Sequence, residues 1–134
     1  SMAIKSYRNG FDADWRDAYP GVNLVTLLEL KGDKKSLDEY LPIVQFANKR
    51  RMEGTTPDYW DMATEGELNV LKRDYETATE NLSEAIALIP QNEIWMLEST
   101  LNNLEIIQEA RKENKTEDEG LSTLIESFKE YDLN

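Results

Sequence analysis

Glu76, Glu80 and Glu84 recur at every fourth residue, which on a helix sets three carboxylates along one face. Such a row could hold a divalent cation or meet a basic partner. A di-iron centre of the helical-bundle kind would also need a Glu-x-x-His pattern. The chain has no His, so that centre is excluded and the row reads as a solvated face with mild like-charge repulsion. Asp12-Ala13-Asp14 opens like a calcium loop, but Arg16 stands at the next ligand position and the required Gly and closing Glu are absent. With neither Cys nor His, thiolate nucleophiles, disulfides, Cys/His zinc sites, haem ligation and imidazole bases all drop out. There is no phosphate-cradling Gly-rich loop and no Gly-x-Ser-x-Gly elbow. Carboxylate pairs remain, as in a glycosidase dyad, but a short helical stack suggests no cleft for them. The expectation is a non-enzyme with no cofactor and no metal.

The formal net charge of −12 is unevenly placed: residues 1–73 carry 12 acids against 11 bases, residues 74–134 carry 15 against 4. Nucleic acids and anionic membranes are bound through Lys and Arg, so this field argues against both and favours a protein or peptide partner with a basic surface. No run approaches the roughly 20 apolar residues of a membrane span, and no signal pattern opens the chain, so a cytoplasmic location is expected. Ser1 ahead of Met2 reads as a cloning remnant. The helical pattern that begins almost at once points to a truncated or short form.

What must position any site is a set of helices. Hydrophobic residues make up 40% and charged residues 31% of 134 residues, the balance of one folded domain, here placed at 2–134. Apolar positions recur with helical spacing and never with sustained period-two alternation, so the class is all-α. A first helix is expected to end within Phe11–Ala18, closed by a Tyr19-Pro20-Gly21 turn. The apolar run of Val22–Lys31 follows as a buried helix. After Gly32-Asp33, Ser36 with Glu39 fits a capping box, while Pro42 implies a kink or a start near Leu41. Lys49, Arg50 and Arg51 complement the dipole at that helix's end.

Thr56 as N-cap and Pro57 at the first position open the next helix, which runs to about Lys72. Another spans Asp74 to just before Pro90, and a third spans roughly Glu93–Asn114 with Ile94, Leu97, Leu101, Leu104 and Ile107 on one face. The last opens on Thr116 capped reciprocally by Glu119 and carries Leu121, Leu124, Ile125 and Phe128. Short connections imply antiparallel neighbours, about six or seven helices in all. Trp15 and Trp95 are assigned to the core on their size and spacing.

Within residues 57–90, the stretch Gly66–Pro90 reads as most of one tetratricopeptide repeat: Gly66, then Asp74-Tyr75, Ala78, Leu82, Ala85-Ile86 and Pro90. Small residues at 66, 78 and 85 permit close helix approach, Tyr75 fills the gap beside the turn, and Pro90 ends the second helix. One repeat cannot bury its own face, so the flanking helices must stack on it, giving an α-α superhelical array.

With these residues placed, the chain resembles the TRAF-binding, tetratricopeptide-like regulatory region of the apoptosis-signal-regulating mitogen-activated kinase kinase kinases, and more closely its bacterial relatives. The resemblance rests on Tyr7-Arg8-Asn9-Gly10-Phe11, on Ala13-Asp14-Trp15-Arg16-Asp17-Ala18-Tyr19-Pro20-Gly21-Val22-Asn23, on Asp58-Tyr59-Trp60-Asp61, and on the Trp95–Ile107 helix with Asn103-Leu104. The kinase relatives lack much of the Asp14–Pro20 block, which sets this chain on the bacterial side. In the kinases the region is a scaffold for protein association; no kinase domain is present in this sequence, so phosphorylation is not implied.

The polar and aromatic residues of those blocks, Arg16, Asp17, Tyr19, Asn23, Tyr59, Trp60, Asp61 and Asn103, form the candidate partner-binding set. A buried Arg–carboxylate pair with Asn amides and aromatic anchors would suit peptide recognition. The same types also cap helices, fill helix crossings and specify a fold. The expected role is a protein-interaction or scaffold module. The alternatives are a spacer or homo-oligomerisation domain and, more remotely, a carboxylate-based enzyme.

Overall fold

The computed structural model describes residues 1–131, so the last three residues of the expected 2–134 span lie outside the described residues. Among the described residues there are seven α-helices and no strand. The chain divides into two compact units, Ser1–Thr56 and Pro57–Asn134.

The first unit holds α1 (Met2–Ala13), α2 (Ala18–Lys31) and α3 (Lys34–Glu53), with α2 packed against both of the others. Tyr19-Pro20-Gly21 is not the expected turn: it lies in the first turn of α2, capped by Asp17, whose side chain accepts from the Tyr19 amide at 3.2 Å. Pro is tolerated there because first-turn amides have no intrahelical acceptor to lose. Gly21 is where the three helices meet, since a Cβ on it would come within 2.7 Å of Phe11 and 2.8 Å of Val44. Leu24, Val25 and Leu28 of α2 are fully buried, whereas Val22, Leu27 and Leu30 are only partly so. This helix therefore has a real outer face.

α3 starts earlier than Ser36. Gly32 ends α2 in the left-handed conformation (φ 81°), and Asp33 at once caps the next helix, accepting from the Ser36 amide at 3.1 Å. The helix then runs through Pro42 without a break, burying Leu37, Leu41, Val44 and Ala47. Arg50 and Arg51 occupy its last turn as expected.

The second unit holds α4 (Tyr59–Lys72), α5 (Tyr75–Ala87), α6 (Trp95–Glu113) and α7 (Glu119–Lys129). α4 pairs with α5 and α6 with α7; α5 also meets α7, and α4 meets α6. The close α4–α5 approach uses the expected small residues: a Cβ on Gly66 would lie 2.9 Å from Leu82, and Ala78 and Ala85 are fully buried. Leu97, Leu101, Leu104 and Ile107 of α6 and Leu121, Leu124, Ile125 and Phe128 of α7 complete the core.

Two further N-caps differ from the expectation. Asp58, not Thr56, opens α4, because Asp58 and Asp61 each accept the other's amide at 2.9 Å, two bonds where Thr56 offers one. Asp118, not Thr116, opens α7, accepting from the Leu121 amide at 3.2 Å. The Thr116 amide is already committed to the Arg111 carbonyl at 2.8 Å, closing α6.

Trp15 and Trp95 are not core residues: they are 45% and 52% exposed. Trp15 lies in the α1–α2 loop, off any helical stripe, and Trp95 is the first residue of α6, two positions before the Leu97 stripe and so on the far side of the helix. Ile94, the N-cap of α6, is likewise 40% exposed. Glu76, Glu80 and Glu84 are exposed, as a solvated face requires. No helix among the described residues is long and apolar enough to cross a membrane.

Candidate functional site

The eight candidate residues fall four to each unit. In the first unit they serve the chain locally. Arg16 is exposed, and both its amide and its Nε bond Asp14 Oδ1 at 3.2 Å. Asp17 caps α2, Tyr19 is 71% exposed, and Asn23 Nδ2 donates to the Tyr19 carbonyl at 3.0 Å. The expected buried Arg–carboxylate pair is absent from this group. The buried arginine of the described residues is Arg111, 1% exposed in the last turn of α6, which the sequence reading did not single out.

In the second unit Tyr59, Trp60 and Asn103 lie at the α4–α6 contact, and Asp61 serves the cap of α4. The Asp58–Asp61 box fixes the start of α4 and so turns Tyr59 inward and Trp60 outward. Asp61 is thus spent on the cap. The Tyr59 ring is 1% exposed; its hydroxyl lies 2.7 Å from Thr100 Oγ1 and 3.1 Å from the Met96 carbonyl, pinning α4 to α6. Burial pushes the Tyr59 phenol above its ordinary pKa, so it stays a donor.

Trp60 stands edge-on to Tyr59 (5.0 Å, 87°) and tilted against Trp95 (5.8 Å, 48°). The result is a step of three rings rising from the core to the surface, with Trp60 39% and Trp95 52% exposed. Trp95 Nε1 donates to Glu93, which orients its ring. Two turns along α4 from Tyr59, Glu67 accepts from Asn103 Nδ2 of α6 at 3.3 Å. Burial raises the Glu67 carboxyl to about 7, only partly offset by the Asn103 bond.

Trp95, Thr100 and Glu67 were missed as members of this site. Glu67 could have been found: Tyr59, Ala63, Gly66 and Val70 mark the inner stripe of α4, and position 67 lies eight residues from Tyr59, within it. Among the described residues no group of three or more Asp or Glu is arranged to hold a metal ion. What the arrangement offers is contact: flat, half-exposed indoles held rigid from beneath and edged by carboxylates.

The first unit carries its own apolar feature, a groove of about 730 Å³ between α1 and α3 with Trp15, Ile43 and Phe46 exposed on its walls.

The family model of the MAP3K TRAFs-binding domain matches residues 1–131. Mitogen-activated protein kinase kinase kinase nsy-1 of Caenorhabditis elegans is 31% identical over 114 residues, which are 80% of this chain and 7% of that protein. The chain therefore spans a small part of the relative it matches. No solved structure matches the chain. The match runs along the whole described length, and the chain belongs to the MAP3K TRAFs-binding domain family.

Proposed function

We propose that the chain is a non-catalytic protein-interaction module of tetratricopeptide type, part of a regulatory or signalling protein of the bacterial branch and acting in the cytoplasm. The name of the family describes binding to TRAFs, and a protein partner is the reading adopted for this chain. Its contact face is the Tyr59–Trp60–Trp95 step, and its preferred partner segment is basic.

One observation carries this reading: two indoles packed 5.8 Å apart are left 39% and 52% exposed. Large rigid aromatic rings supply binding area at low entropic cost and are enriched where partners anchor. Glu93 is bonded to Trp95, Glu98 is exposed one turn on, and the chain from residue 74 onward is strongly acidic. Lys or Arg side chains would find both ring faces and carboxylates there.

The test is affinity capture from a source lysate with the wild type and a Trp60→Ala/Trp95→Ala variant whose circular dichroism is unchanged. A specific protein held by the wild type, released by salt and lost with the variant supports the reading. The same proteins retained by both would end it.

A further inference from the structure

The groove of the Ser1–Thr56 unit is shallow and open to solvent. Its floor is the buried Phe11 ring, with Tyr40 edge-on to it (6.1 Å, 62°), and its walls are Trp15 on one side and Pro42, Ile43 and Phe46 of α3 on the other. Trp15 leans on Phe46 at 6.1 Å. Ile43 is 42% and Phe46 52% exposed, so two successive turns of α3 turn apolar side chains to solvent while their opposite face is buried. A volume of about 730 Å³ is in the range that seats an organic ligand or a row of side chains.

The charges along this groove are not evenly spread. Asp12 lies in its lining, exposed and accepting from the Tyr40 hydroxyl at 3.1 Å. Glu39, exposed, sits one helical turn before Ile43 on the same α3 face; Lys49 and Arg50, exposed, sit one turn after Phe46. Arg8 lies over the Tyr40 ring at 5.6 Å and offsets one of the two carboxylates there, so the groove is net acidic by one charge beside Tyr40 and basic by two beyond Phe46, the ends separated by about 16 Å of helix at 1.5 Å per residue. A helix has the complementary polarity, positive at its N-terminus and negative at its C-terminus.

We propose that this groove docks an amphipathic helix of a protein partner, about three turns long, lying parallel to α3, with apolar side chains at i, i+3/i+4 and i+7 on Ile43, Phe46 and Trp15. Its first turn carries Lys or Arg toward Asp12 and Glu39, and its last turn carries Asp or Glu toward Lys49 and Arg50. This is the helix-in-groove mode of recognition with the direction set by charge.

The experiment uses the full chain. A helix-forming peptide library is selected against the wild type and counter-selected against Phe46→Ala. The peptides recovered are then titrated by fluorescence polarisation against the wild type, Ile43→Asp, Asp12→Asn/Glu39→Gln, and Trp60→Ala/Trp95→Ala. The expected consensus is apolar at helical spacing, basic in the first turn and acidic in the last. Binding should be lost in Ile43→Asp, weakened about three- to tenfold in Asp12→Asn/Glu39→Gln as dipole and charge contacts of this kind allow, and unchanged in the tryptophan variant. The last comparison separates this surface from the proposed contact face of the other unit. A consensus with no charge order or the reverse order, or peptides that bind Ile43→Asp as tightly as wild type, overturns the proposal. So does a concentration-dependent dimer that Phe46→Asp abolishes, which would give the groove to a second copy of the chain.

Discussion

The Tyr75 hydroxyl lies 2.7 Å from the Asp118 carboxylate and 3.0 Å from Nη1 of Arg111, so it accepts from the guanidinium and donates to the carboxylate. Four helix ends meet through this relay. Arg111 in the last turn of α6 also donates to the Val70 carbonyl near the end of α4 at 3.0 Å. Arg73, the left-handed cap of α4, donates to Asp118 and to the Thr116 carbonyl at 2.7 and 2.8 Å. Burial alone would raise the Asp118 carboxyl, but bonds from Tyr75, Arg73 and the Leu121 amide outweigh it and hold it below its ordinary value. The Tyr75 phenol is pushed up to about 12, by burial first and then by its bond to Asp118.

Removing that hydroxyl leaves a buried guanidinium without one acceptor and Asp118 without one donor. Tyr75→Phe is therefore expected to lower unfolding free energy by about 1–3 kcal/mol, the cost of stranding charged hydrogen-bond partners. Urea unfolding with an unchanged m-value is the measurement. A loss below about 0.5 kcal/mol would show that the relay is ornamental to stability.

Gly120 sits against the same ring. A Cβ there would come within 2.4 Å of Tyr75, an approach the flat, tethered ring cannot yield to without moving α7. Gly120→Ala should destabilise by about 1–3 kcal/mol through overpacking, even though Ala is the better helix former by about 1 kcal/mol. Gly10→Ala is the control: its Cβ would meet Pro20 at 3.4 Å, an ordinary contact, on an exposed helical position. It should be neutral or stabilising, and equal losses at both sites would refute the packing argument.

How far the sequence foretold this depends on the kind of signal. Periodicity is set by burial over many residues, so the all-α class, the α5, α6 and α7 stripes and the close Gly66–Ala78–Ala85 contact could be read directly. Cap positions depend on single side chains competing for the same few amides, and there Thr56, Ser36 and Thr116 lost to Asp58, Asp33 and Asp118. Size was a poor guide to burial for Trp15 and Trp95, because a loop and a first helical position lie outside any stripe. Three of the candidate set, Tyr59, Trp60 and Asn103, lie at the α4–α6 contact. Of the partners that define it, Glu67 could be placed by the α4 stripe, whereas Thr100 comes from the pairing of two helices, which no local pattern encodes.

The reassigned start of α4 can be checked by substitution. Asp58→Ala removes the acceptor for the Asp61 amide and half of the reciprocal box, at a cost of about 1 kcal/mol, within the usual range for an N-cap. Thr56→Ala, two residues before the cap, should change the melting temperature negligibly. The reverse order of effects would restore Thr56 as the cap.

Glu67 makes stability depend on pH in a definite direction. Its carboxyl titrates near 7 in the folded chain, against an ordinary value of 4.5. Between those values the unfolded chain is ionised at this position while the folded chain keeps its proton, so the unfolded state gains. The contribution is thus intact below pH 4.5 and lost as pH rises through about 7. Glu67→Gln never ionises, and its amide oxygen can still accept from Asn103. Wild type and variant should unfold at similar denaturant concentrations near the acid limit of that window. At pH 8 the variant should be the more stable, by an amount on the order of 1–3 kcal/mol. Taking the difference between the two proteins cancels every other titrating group they share. A difference that stays constant across the window would mean that Glu67 titrates as an ordinary surface carboxylate and that the α4–α6 contact is open to water.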